Sequence, residues 1–444
     1  MASLAAHKTF ALKALFGQMP QLALQQLARA LSLEQSGPML DVRQLAEAQL
    51  AERRLRHYVL EPIIPLFEQA SGHPRFPRST LNRLWEGLQV SESRLLAIAA
   101  QHMEEPPFEG DPHVAADALC RALAKRVTQA VGVFETLPDG CDRGMLAACL
   151  DMAPVVRPAL PRLNEWINRP SDERRAALRV CYHRAVEIQT DGGPLFFQIL
   201  SGHLERSWQV LTLISIVMDH PVEAYIAGSE FGPFGTRVLK LAKDEIEAVK
   251  AFDPRTTPAR ALDAARSVQI AHQSLHEMTS AIELSSSGPW GGQVGELRKL
   301  LISSVEAILK AWSPLLSQAL PMNKASVLTP PFRATPKLSE DRAQDAEIPI
   351  MAWLNFVETI RQDSGTAGFG ALRGKMLEGF DQRLQAYADD VLDLIKSGDT
   401  KVPERAASFV SLAADLAEAR GDKTNSDLIR RRLTSVTDRH GASV

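Results

Sequence analysis

Strand patterning is what this chain most lacks. Over its 444 residues apolar side chains recur three and four positions apart, the spacing of one helix face, while strict alternation is almost absent. That excludes the folds that present a cofactor or a nucleophile on a parallel sheet. Cysteine is scarce as well. Cys120, Cys141, Cys149 and Cys181 are the only four, none forms a CxxC pair, and their separations fit no zinc ribbon or finger. Free, buried thiols in a reducing compartment are expected, and with them a cytoplasmic location.

Charge of one sign is missing too. A net charge of -3 gives no global pull toward nucleic acid or acidic membrane, so such binding needs a local patch. No apolar run has the length of a bilayer helix, about 20 residues. The longest, residues 208–218, reads as a central helix buried on all sides, so no transmembrane segment is expected. Val210, Thr212, Ile214, Ile216 and Val217 are β-branched or β-favouring and leave a strand open there and almost nowhere else. No secretory leader is evident. Residues 1–33, however, contain no Asp or Glu and carry Lys8, Lys13 and Arg29. An acid-free start of this kind suits a targeting segment or a helix lying on a membrane surface. If the protein is membrane-peripheral, Phe10, Leu12 and Phe16 should face solvent.

What is present is helix after helix. The periodicity predicts an all-α fold of antiparallel bundles, with helices near 4–16, 20–33, 41–70, 79–89 and 91–104 and a break in the third at Pro62 and Pro65. The loop Glu104-Glu105-Pro106-Pro107-Phe108-Glu109-Gly110 reads as a boundary closing an N-terminal helical segment, 1–109. A central long-helix bundle, 110–320, follows. Asp111-Pro112 reads as its first cap. Ser171 with Asp172 and Glu173 reads as another helix start, with acids where the dipole favours them. From Pro321 to Pro349 the period lapses among five prolines, which reads as a Pro-rich linker, 321–349. The C-terminal helical unit, 350–444, places Gly398 and Gly421 just past two helices, as C′ glycines stand.

No motif carries legible chemistry, so the chain leans away from an enzyme, and no cofactor or metal is expected. His272 and His276 share one helix face, but Gln273 stands where a zinc protease needs Glu. Two glycine-aromatic loops are docking candidates. In one, Gly288-Pro289-Trp290-Gly291-Gly292 opens a helix, where backbone N–H groups can take a phosphate. No strand precedes it and no GK[ST] follows, so it reads as a tight turn whose Trp290, if exposed, suits a binding hot spot. The other carries Phe231 and Phe234, and Ser229 there lacks the flanking glycines of a nucleophile elbow. Residues 79–101 have the cadence of a helix-turn-helix with Ser91 as cap. Ser93 and Arg94 would reach the nucleic acid, with Arg78 and Arg83 adding charge. The tail, Arg430-Arg431-Arg432, could hold an acidic partner or anionic lipid. The reading that gathers most of this is a non-catalytic protein-interaction or scaffold module. A DNA-associated regulator using 79–101 and a membrane-peripheral protein using the N-terminal helix are the alternatives.

Overall fold

The computed structural model describes residues 6–34, 36–67, 75–218, 220–323, 334–400 and 402–441. The fold is all-α; among the described residues the sheet is one pair of two-residue strands. Contacts divide the chain into two compact units, Met1–His220 and Pro221–Val444.

Unit 1 contains α1 (Ala6–Gln18), α2 (Gln21–Ala30), α3 (Gly37–Leu60), α4 (Arg78–Ser91), α5 (Ser93–Glu104), α6 (Val114–Gln129), α7 (Arg143–Val156), α8 (Leu163–Asn168), α9 (Asp172–Ile188), α10 (Gly192–Ser201) and α11 (Val210–Val217). The helix α3 is the spine, touching α1, α2, α5 and α6. It ends at Leu60, and a 3₁₀ turn, Glu61–Phe67, takes Pro62 and Pro65. Proline lacks the N–H that would continue an α-helix, and the break falls where the sequence placed it. The hairpin α1–α2 has its own small core on α3, built on Phe16, Leu24 and Ala46. The apolar run near 210 is helix, not strand: Val210, Leu211, Leu213, Ile214 and Ile216 of α11 are all buried.

Unit 2 contains α12 (Glu223–Ala227), α13 (Gly232–Lys250), α14 (Ala261–Ala281), α15 (Gly291–Lys310), α16 (Trp312–Ala319), β1 (Met322–Asn323), β2 (Thr335–Pro336), α17 (Gln344–Thr359), α18 (Gly370–Ser397), α19 (Pro403–Ala419) and α20 (Lys423–Gly441). Consecutive helices pair, α13 with α14 and α18 with α19 and α20. Gly398 and Gly421 have φ of +76° and +86°, the left-handed conformation that ends α18 and follows α19. The stretch Gly291–Ala319 is long and apolar enough to cross a membrane by length and composition, although the longest uninterrupted apolar run of the sequence lies elsewhere, at 208–218. Here it packs: Val294, Leu301, Val305, Ile308 and Leu309 are buried, and Trp353 Nε1 donates to Ile308 O at 2.9 Å.

The division differs from the one the sequence suggested. The loop before 110 joins α5 to α6, which pack on each other and on α3, so 1–109 is not separate. The segment 321–349 is no free linker in its described parts. There β1 and β2 pair antiparallel, Arg342 donates to Ser408 O at 2.9 Å, and Arg405 donates to Ser339 O at 3.1 Å. Residues 324–333 of that segment lie outside the described residues. Despite its prolines this stretch finds partners for its carbonyls, Pro321 O from Lys337 N beside the two-residue strands and Leu338 O and Ser339 O from the Arg405 guanidinium. Two expected caps also moved. Asp111 makes a turn before the helix, accepting His113 N at 2.8 Å, and α6 starts at Val114. Ser91 closes α4, donating back to Gly87 O. Ser171 caps α9 as expected, through Arg174 N.

The cysteines are free, with Cys120, Cys149 and Cys181 buried and Cys141 half-buried. Burial pushes the Cys120 thiol up to about 11 and raises the other three as well. Since the thiolate is the reactive form, iodoacetamide at neutral pH should label the folded chain slowly and at Cys141 first. Mass spectrometry showing Cys120 modified before unfolding would contradict this burial.

Candidate functional site

The two glycine-aromatic loops meet, but inside unit 2 rather than at its surface. Trp290 is 4% exposed, and Phe231 and Phe234 are also buried. A Cβ on Gly235 would fall 2.6 Å from the Trp290 ring, so only glycine lets the indole lie this close to α13. Ser229 shapes the turn, donating to Ile226 O and accepting from Phe231 N. These three aromatics therefore hold the core and do not form an exposed docking anchor. Their burial follows from the turn being tight on both sides, which leaves each ring only the interior.

The N-terminus of α15 is an anion site that the chain fills itself. Glu223, 1% exposed, accepts from Ser285 N at 2.7 Å, Gly291 N at 3.1 Å and Trp290 N. A Cβ on Gly288 would stand 2.3 Å from its carboxylate. Burial alone would raise this carboxyl, but the three N–H donors together outweigh it and hold it below the ordinary carboxylate range. The loop that resembled a phosphate cradle is thus a clasp between α12 and α15.

The helix-turn-helix reading is not supported by the geometry. One residue, Glu92, separates α4 from α5, where such motifs use a turn of three or four. Arg126 pairs with Glu92 at 3.2 Å and pins this junction to α6. Ser93 and Arg94 are exposed, but the same solvent face carries Ala97, Gln101 and Glu104, so it is not basic. Arg83 is spent on the carbonyl and hydroxyl of Thr136. The basic tail is likewise paired: Arg430 binds Asp415 and Glu418, and Arg432 binds Asp389. His272 Nε2 lies 3.0 Å from Thr366 Oγ1, and no group of three or more His, Cys, Asp or Glu side chains could hold a metal among the described residues.

Arg78 leads elsewhere. It lines a cavity of about 880 Å³ in unit 1, between the α1–α2 turn, α3, the 3₁₀ turn and the start of α4. Arg53, Arg54, Arg56, His57, Asn82 and one carboxylate, Glu61, share that lining. Three of the four arginines are placed by visible partners. Arg53 Nη2 caps α1 by donating to Phe16 O at 2.7 Å and Met19 O at 2.8 Å. Arg54 pairs with Glu104 at 3.4 Å. Arg56 donates to the neutral Asn82 Oδ1 at 3.1 Å. Neither Arg56 nor Arg78 has a carboxylate within ion-pair distance among the described residues. Burial, Arg53 and Arg78 lower the Arg56 guanidinium from its usual value, with Glu52 opposing them. Glu52 is occupied by Trp85 Nε1 at 2.8 Å and Gln89 Nε2 at 3.0 Å. Pro20 and Gln21 bring the start of α2 to the same rim, and no side chain caps it. Its free N–H groups and dipole add to the positive field.

Sequence reasoning singled out Arg78 but missed the α3 arginines. The run Glu52-Arg53-Arg54-Leu55-Arg56-His57 was the signal, a basic turn on a helix otherwise read for its apolar period. No protein-family model, no curated protein and no solved structure matches this chain.

Proposed function

We propose that this protein is a non-catalytic interaction module whose unit 1 takes up an anionic group of its partner in the arginine-lined cavity. The observation that carries the reading is the pair Arg56 and Arg78. Two guanidiniums line one cavity without a direct ion pair among the described residues, in a lining of four arginines against the single carboxylate Glu61, beside a helix start without a side-chain cap. Cations held together without a counter-charge favour an incoming anion, most of all a planar or polydentate one. Arginine keeps its proton at every accessible pH, so this lining suits binding rather than proton transfer. Nothing in the geometry favours nucleic acid through residues 79–101.

Titration calorimetry of the full chain with inorganic pyrophosphate tests the reading. Binding should appear at low salt and weaken as salt rises. Arg56→Ala with Arg78→Ala should weaken it by at least about a hundredfold, since hydrogen bonds to charged groups are being removed. Ser93→Ala with Arg94→Ala should leave it unchanged. Absence of binding, or equal binding by the cavity variant, would refute the proposal.

A further inference from the structure

We infer that the partner is an anionic lipid surface, with a headgroup phosphate seated in the arginine-lined cavity and the α1–α2 hairpin lying in the interface. This rests on the anion-binding reading of the cavity and adds the apolar surface beside it. Along the hairpin, Phe10 is 77% exposed and Leu22 is 66% exposed, and Leu15 is exposed as well. Leu22 directly follows the cavity residue Gln21, and Leu15 stands two residues before the cavity residue Gly17. Exposed apolar side chains thus stand within two residues of cavity-lining positions on each side of the α1–α2 turn. Phe10 lies two turns before Gly17 on α1, about 10 Å away at the helix rise per residue.

Charge complementarity selects the occupant. The hairpin carries Lys8, Lys13 and Arg29 and no carboxylate, and the cavity adds Arg53, Arg54, Arg56 and Arg78 against Glu61. Exposed Leu and Phe among basic residues, with no acid between them, match a headgroup layer over acyl chains. An acidic protein surface would meet the arginines but would leave three large apolar side chains opposite charge. The hairpin has the support to act this way. Phe16 and Leu24 anchor it to α3, while Arg53 ties the end of α1 to the same helix. Phe10, Leu15 and Leu22 are not among the residues of that core. The expectation that Phe10, Leu12 and Phe16 would all face solvent is met by Phe10 alone. Leu12 is half-buried and Phe16 is core; Leu15 and Leu22 take their place.

The experiment is co-sedimentation of the full chain with vesicles of phosphatidylcholine alone and with added phosphatidylserine. The chain should sediment with the mixed vesicles only, and high salt should release it. Arg56→Ala with Arg78→Ala should weaken partitioning roughly thirtyfold, at the usual contribution of two basic residues near a charged membrane. Leu15→Ser with Leu22→Ser should weaken it at least about tenfold without lowering the melting temperature. Equal binding to both vesicle types, or partitioning that ignores either variant, overturns the inference. Pyrophosphate binding without vesicle binding also overturns it, while leaving the cavity's anion-binding role standing. Protection of the cavity by an acidic peptide but not by mixed vesicles would mark a protein partner instead.

Discussion

Arg157→Met should lower the melting temperature of unit 1 by about 10 °C, the size expected when a buried ion pair loses one partner in a unit of this length. Arg157 is almost fully buried and joins three segments. Its Nε donates to Asp117 on α6 at 2.8 Å, Nη1 donates to Tyr58 O at 2.7 Å, and Nη2 donates to Val59 O at 2.7 Å. Those two carbonyls lie in the last turn of α3, where the break before Pro62 leaves them without helical donors. Methionine fills similar volume, so the expected loss comes from Asp117 and the Tyr58 carbonyl left dry and a Val59 carbonyl left only the weak Cys120 thiol at 3.4 Å, roughly 3–5 kcal/mol. Adding Asp117→Leu should restore part of it, because the stranded charge is then gone while the carbonyls still lack the guanidinium. The measurement is the unit 1 melting transition together with amide exchange along α3 and α6. A single variant within about 1 kcal/mol of wild type would mean that water replaces the guanidinium.

Glu223→Ala should destabilise unit 2 by about 3–6 kcal/mol, since three buried N–H groups lose their acceptor at once. Glu223→Gln should recover part of this, because its amide oxygen can still accept from Trp290 N and Gly291 N while its NH2 meets Ser285 N donor to donor. The pH dependence separates charge from shape. Folded Glu223 sits below its unfolded value, so between the two the unfolded chain binds the extra proton. Its stabilisation is therefore complete above the ordinary glutamate value of about 4.3 and fades as pH falls through the depressed folded value. Asp381, raised chiefly by burial against the pull of Arg420, acts with the opposite sign in the same unit. Subtracting the Glu223→Gln melting curve from wild type isolates the Glu223 part. Parallel curves from neutral to acid pH would show that the carboxylate holds the loop without being held charged.

Much of the fold was legible because helix periodicity is local. In α14 the apolar positions Ala264, Val268, Ala271, Leu275 and Met278 stand three and four apart and form the buried face, and proline marked the break after Leu60. What was illegible depends on partners far along the chain. Ser171 caps through a neighbour three residues away, whereas Arg342 and Arg405 act across more than 60 residues to hold a stretch that looked like linker. The α15 loop was read as a tight turn rather than an anion cradle, because the anion its N–H groups hold, Glu223, lies more than 60 residues upstream. The cavity was half seen: Arg78 was named, while Arg53, Arg54 and Arg56 were hidden within a helix that satisfied a simpler pattern.

The reach of Arg157 has a consequence in time as well as in energy. Tyr58 and its clasp are 99 residues apart, so a ribosome adding about 5–20 residues per second makes α3 wait roughly 5–20 s for the group that closes its end. Until then Asp117 lacks the Arg157 cation and the Tyr58 carbonyl lacks its guanidinium donor, so the helices before the clasp leave the ribosome without their keystone. Synthesis halted before residue 157 should yield a nascent chain that proteases digest, and synthesis carried past it should yield one they spare.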